Sequence, residues 1–166
     1  MKAIACVMRV IVMVSGFLMA FTFGAVVVIR YGLGGDLFAY EEWLLAFSIV
    51  GFFAGAVLAS ARNLHINADI LGIVIQSPKL IWWRGLIVYA IELLIGIYIV
   101  YWCYLAVASE IAAYPHWETT TALRIPSVLP RSAILVGFSF MALFTAIYMV
   151  LHIIDGPQPQ ADKEIV

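Results

Sequence analysis

Residues 85–108 read GLIVYAIELLIGIYIVYWCYLAVA, 24 residues with a single charge, Glu92. A helix rises 1.5 Å per residue, so about 20 residues cross a ~30 Å hydrocarbon layer. Lipid offers no water to backbone N–H and C=O groups, so a run of this kind must satisfy them internally, as a helix. Three further runs share the pattern. Val10–Ile29 and Trp43–Ala61 carry no charge, and Ala133–Ile154 has only His152 as a titratable group. The expected fold is an all-α integral membrane protein with four transmembrane helices in a single domain, residues 1–166. The spans fall at about 10–29, 43–61, 85–108 and 133–154, and a polar tail, 155–166, follows.

Composition agrees. The chain is 65% hydrophobic and 11% charged, against roughly 45–50% and 25% for a soluble domain. Its 166 residues leave no room for a large soluble appendage. A net charge of −1 with scattered basic residues argues against a nucleic-acid partner. Lys2 and Arg9 precede an apolar run that is longer than the ~7–15 residues of a signal h-region and has no small-residue cleavage site. It reads as an uncleaved first helix. Cys6 and Cys103 form no CxxC or metal-type spacing and read as two buried thiols.

With the N-terminus inside, the cytoplasmic side carries Lys2, Arg9, Arg62, Lys79, Arg84 and Lys163, and the outer side carries Arg30, Arg124 and Arg131. That asymmetry predicts N-in, C-in by the positive-inside rule. Tyr31, Tyr40, Trp43, Trp82, Trp83, Trp102 and Tyr104 fall at the expected interfacial belts.

Two of the loops have internal pattern. Between helices two and three, His65, Asp69, Gly72 and Gln76 share one stripe of a helical wheel, and Ile66, Ile70, Ile73 and Val74 share the other face. This predicts a short amphipathic helix lying in the membrane surface, stopped by Pro78. It is equally a brace for a partner and a connector resting on lipid headgroups. The third loop, with Tyr114-Pro115-His116-Trp117, Thr119-Thr120-Thr121, Pro126 and Pro130, predicts an ordered non-helical excursion on the outer side.

The small and polar residues in and near the spans each have an ordinary structural reading beside a functional one. Gly16, Ala20 and Gly24 on helix one, and Gly51, Gly55 and Ala59 on helix two, recur every four residues. Such spacing lets helix backbones approach closely in lipid, so helices one and two are expected to pack on each other or on a partner. Glu92 is the only acid inside a predicted span. A carboxylate there is costly and points to a proton or cation site by default. The spans offer it no charged companion, which favours a structural contact or snorkelling instead. Glu41 and Glu42 open helix two, where acids complement the helix dipole, and Arg30 across the short loop is their expected counter-ion. His65 and Asp69, one turn apart, read as a hydrogen-bonded pair, since two ligands make no metal cage.

The spans lack the facing His pairs of a haem bundle, and the chain has no P-loop and no Ser/His/Asp set. The expectation is no cofactor and no catalysis.

Motif order then gives a resemblance. Arg30-Tyr31 closes helix one, and Glu41-Glu42 opens helix two. Gly51-x-x-x-Gly55-Ala56 lies within helix two, and His65-Ile66-x-x-Asp69 follows it. Thr121-Ala122-Leu123-x-Ile125-Pro126 precedes helix four, which holds Gly137-Phe138-x-x-Met141-Ala142-Leu143. In this order the chain resembles the small membrane subunit of tripartite ATP-independent periplasmic (TRAP) transporters, over nearly its whole length. It departs from that family where Leu135-Val136-Gly137 replaces a usual Pro-Ile-Gly step, and where Val128 replaces an aromatic. The resemblance implies a scaffold subunit in a prokaryotic cytoplasmic (inner) membrane. Its partners would be a large membrane subunit that carries an organic anion on a sodium gradient, a periplasmic binding protein that delivers the anion, and membrane lipids. Two other readings remain beside it: a small exporter working through Glu92, although such proteins place their acid in helix one, and the membrane anchor of a redox complex, although that needs interior His ligands.

Overall fold

The computed structural model describes residues 2–61 and 77–157. Four helices account for most of them: α1 Lys2–Gly32, α2 Tyr40–Ser60, α3 Pro78–Ala112 and α4 Val128–Asp155. All four are long and apolar enough to cross a membrane. The protein is an all-α integral membrane protein, and no named strand occurs among the described residues. The amphipathic segment 65–76 lies outside the described residues.

Each helix runs past its apolar stretch because local signals set its ends. At the close of α1, Gly34 adopts φ +64° and the Gly35 N–H returns to the Ile29 carbonyl at 3.2 Å. Helix α2 starts after Ala39, which has φ 51°, with Glu41 and Glu42 in its first turn. Ser77 precedes α3 in extended geometry and Pro78 opens it, where a missing N–H costs nothing. At 35 residues α3 is about 52 Å long, well beyond the hydrocarbon thickness. Pro130 falls in the first turn of α4, again where proline is tolerated.

The helices form a row in the order α1, α2, α4, α3. Helix α2 packs between α1 and α4, and α3 packs on the other side of α4. Neighbouring contacts give the directions. Ser15 meets Gly51 and Val12 meets Gly55, so α1 and α2 are antiparallel. Phe53 lies against Gly137, and Tyr148 reaches Ala61, so α2 and α4 are parallel. Helices α3 and α4 are antiparallel, with Gly85 against His152 and Gly96 against Ala142.

Three of these approaches depend on glycine. A Cβ at Gly51 would lie 2.5 Å from the Ser15 Cβ, and one at Gly137 would lie 2.6 Å from the Phe53 ring. One at Gly85 would lie 2.8 Å from His152 Nε2. Gly55 is looser, with Val12 at 3.7 Å. Gly16 and Gly24 stand apart from the packing of the described residues, since a Cβ on either meets none of them within 4 Å. The repeat on α1 therefore faces away from α2, and Ser15 and Thr22 turn inward in its place, both buried. Cys6 is also exposed, contrary to the expectation of two buried thiols. The reason is geometric: among the described residues α1 has one extensive neighbour, so most of its circumference has none of them against it.

These contacts predict a contrast within the isolated subunit. Gly51→Val or Gly137→Val should lower stability by about 1–3 kcal/mol, the usual cost of overpacking. Gly16→Ala and Gly24→Ala should not lower it, and alanine's helix propensity should raise it by up to about 1 kcal/mol each. Thermal unfolding of the detergent-solubilised chain separates the two pairs.

Candidate functional site

The polar side chains gather at the two ends of the row. At one end, residues 113–127 connect α3 to α4 and fold into a small hairpin. Thr119 and Pro126 form an antiparallel bridge. The Thr120 N–H donates to the Ile125 carbonyl at 3.1 Å, and the Ser127 N–H to the Glu118 carbonyl at 2.9 Å. The Ile125 N–H also donates to Thr120 Oγ1 at 2.9 Å.

Glu42 fastens the tip of this hairpin to α2. Its carboxylate accepts the Ala122 and Leu123 backbone N–H groups, each at 2.8 Å, and the Thr121 hydroxyl at 3.1 Å. The expected pairing with Arg30 is therefore corrected. Among the described residues, Arg30 forms no ion pair with Glu41 or Glu42. Fixed donors on a folded hairpin outcompete a mobile surface cation, whose pairing is worth little. Arg30 and Glu41 are both exposed.

The base of the hairpin has its own tie. Arg131, at the start of α4, pairs with Glu110 at the end of α3 and with Glu118 at 2.9 Å. Glu110 is 4% exposed, and its Oε2 is buried without a hydrogen-bond partner. Arg131 thus joins α3, the hairpin and α4. Sequence reading missed this triad, since the residues stand 21 and 13 positions apart with no periodic signal.

At the opposite end of the row, Trp82 and His152 bond reciprocally. The Trp82 indole N–H donates to the His152 carbonyl at 3.0 Å, and His152 Nε2 lies 3.0 Å from the Trp82 carbonyl. The two rings stack with centroids 5.8 Å apart. Gly85 leaves the space the imidazole fills. The Tyr148 hydroxyl donates to the Ala61 carbonyl at 2.8 Å, satisfying a carbonyl at the end of α2.

Glu92 sits between these ends, half-buried at the α3–α4 contact, and accepts the Thr145 hydroxyl at 3.2 Å. His65 and Asp69 lie outside the described residues. The structure brings none of Arg30, Glu41, Glu42 and Glu92 together in one site. Among the described residues, no group of three or more His, Cys, Asp or Glu is arranged to hold a metal. A half-open cavity of about 110 Å³ lies between α1, α2 and α4, lined by residues such as Met8, Ile11, Phe53 and Val136. It is almost wholly apolar and carries no group that could bind or turn over a polar substrate.

Comparison with known families decides the class. The family model for the DctQ component of tripartite ATP-independent periplasmic transporters matches residues 18–155. The chain belongs to that family. It is the small subunit of a TRAP transporter, and its family places it in an assembly with a large subunit and a binding protein. No curated protein matches the chain. The matched stretch of this DctQ-family subunit holds the Glu42 fastening, the Arg131 triad and the Glu92–Thr145 bond.

Two outcomes follow from the hairpin cluster. Glu42→Ala should accelerate amide exchange at Ala122 and Leu123 while the Glu118–Ser127 pair keeps its protection, as read by hydrogen–deuterium exchange. Arg131→Met should destabilise the subunit by about 3 kcal/mol, toward the lower end of the range for breaking a buried pair, because Arg131 is 36% exposed. Adding Glu110→Gln to Arg131→Met should restore part of that loss in a thermal melt.

Proposed function

We propose that this subunit is a scaffold without chemistry of its own, which holds the static part of the large subunit. The assembly imports an organic anion, a carboxylate delivered by a periplasmic binding protein, and sodium drives the import. Both termini face the cytoplasm across the inner membrane. The observation that carries the scaffold reading is the open row of helices. Helices α1 and α3 each have one extensive neighbour, and they leave broad apolar surfaces uncovered. In the best membrane window of α3, no residue is buried within the chain. Such a row gives a partner a long flank to lie against, and among the described residues it encloses no polar path along which an ion could move.

The surroundings of Glu92 support the same reading. Its bond to Thr145 crosses the α3–α4 contact in the way a structural polar tie does. On this reading Glu92→Gln keeps the tie as a neutral hydrogen bond, and uptake in the assembled complex stays near the wild-type rate. Loss of uptake with normal complex recovery would make Glu92 a coupling site.

The direct test is composition. A tagged copy, gently solubilised from its native membrane, should bring down a large polytopic protein in about equal amount, identified by mass spectrometry. Recovery of the chain alone, as an oligomer of itself, would overturn the scaffold role.

A further inference from the structure

Four aromatic side chains with polar tips crowd one stretch of α3. Tyr98, Tyr101, Trp102 and Tyr104 are each more than half exposed. Gly85, Glu92, Gly96 and Glu110 mark the face that meets α4, and a helical wheel puts all four aromatics off that face. The Trp102 ring makes T-shaped contacts with both Tyr98 and Tyr101, at 6.2 Å between centroids in each pair. Among the described residues, the three hydroxyls and the indole N–H have no hydrogen-bond partner.

Their depth gives this cluster its meaning. Along α3, Gly96 meets Ala142 and Glu110 meets Arg131, and Gly137 of α4 falls between those two contacts. Gly137 also packs against Phe53 of α2. Trp102 therefore stands near the level of Phe53. Phe53 is ten residues from Trp43 and eight from Ala61, which bound the charge-free run of α2, so about 15 Å and 12 Å of helix separate it from the two ends. The interfacial belt expected of Trp102 and Tyr104 is thereby corrected. They lie near mid-depth, because α3 continues ten residues past Trp102, about 15 Å, to Ala112.

Lipid tails hold no hydrogen-bond acceptor, and a polar group left unpaired among them is costly. Tyr and Trp favour the headgroup level for that reason. From mid-depth these rings do not carry their polar tips to either headgroup layer.

We propose that this flank of α3 docks against a transmembrane helix of the large subunit, which supplies acceptors for Tyr98, Tyr101 and Trp102. The inference rests on the proposed scaffold function and names the face which that function uses. A polytopic partner offers acceptors at this depth from Ser, Thr, Asn or acidic side chains, or from backbone carbonyls at a helix break. Aromatic rings with a polar tip suit such a contact, since they add a large apolar area and one directed bond each.

Photo-crosslinking in the assembled complex reads the neighbour directly. p-Benzoylphenylalanine placed at Tyr98 or Tyr101 keeps an aromatic ring on the flank. Illumination of intact membranes should join it to the large subunit, identified by mass spectrometry of the adduct. A companion variant removes the polar tips alone. Tyr98→Phe with Tyr101→Phe should leave the melt of the isolated subunit unchanged, because the hydroxyls bond nothing among the described residues. The same pair should raise the apparent Kd between labelled subunits about tenfold, read by energy transfer in proteoliposomes, as two interhelical hydrogen bonds are lost.

Absence of a large-subunit adduct, whether the label goes to lipid or to a second copy of this chain, would overturn the proposal. So would an unchanged Kd in the double variant. A lowered melt of the isolated subunit would assign the hydroxyls to its own folding and overturn it as well. Failure of the wild-type chain to recover a large subunit would instead overturn the scaffold reading, at the purification step.

Discussion

Helices in lipid gain nothing by hiding apolar side chains from each other, because the surrounding tails are just as apolar. Close backbone approach and a few polar bonds must hold them. This constraint accounts for the design of the row. Gly51 admits Ser15, Gly137 admits Phe53, and Gly85 admits His152, so each adjacent pair of helices has one point where a missing side chain sets the spacing. Most of the remaining surface is left to face lipid or another subunit, and large apolar side chains are exposed on all four helices.

The polar bonds fall where their energetics favour them. At the membrane ends water competes, so a tie needs several fixed donors or a buried charge to count. Glu42 meets the first condition with three hydrogen bonds, and the Glu110–Arg131 pair meets the second. At the end away from the hairpin the reciprocal Trp82–His152 bonds and the Tyr148–Ala61 bond use backbone carbonyls as acceptors. In the middle, Glu92 and Thr145 supply an interhelical bond across α3 and α4. Together these join α2 to the hairpin at one end and to α4 at the other, and α3 to α4 at both ends and in the middle. Helix α1, by contrast, has no hydrogen bond to a neighbouring helix among those described above and is joined to α2 by packing.

Much of the architecture was legible in the sequence, for one physical reason. Membrane-spanning segments are set by local composition, and four charge-poor runs of 19–24 residues leave little choice. Neighbour relations were not legible, because they depend on residues far apart in the chain. The four-residue repeat Gly16, Ala20, Gly24 looked like a packing face, yet it points away from α2. The solitary Gly137, without any repeat, is the one that α2 packs against. Arg30 was the nearest cation to Glu42 along the chain, but the partner of Glu42 lies 79–81 positions away in the hairpin. Periodicity reports which side of a helix is unusual. It does not report what that side meets.

The unpacked repeat on α1 follows from the same constraint and bears on assembly. Small residues in a lipid-facing helix bring no packing benefit to the isolated chain, and each glycine costs the helix about 1 kcal/mol relative to alanine. Gly16 and Gly24 thus carry a cost that contacts among the described residues do not offset. The inner face of α1 uses Ser15 and Thr22 for α2, and the Thr22 hydroxyl is satisfied within its own helix by the Leu18 carbonyl at 2.7 Å. Helix α1 therefore has a finished face and an unfinished one. A subunit that belongs to a multi-component transporter can leave a face unfinished, since the assembly rather than the single chain is the stable unit.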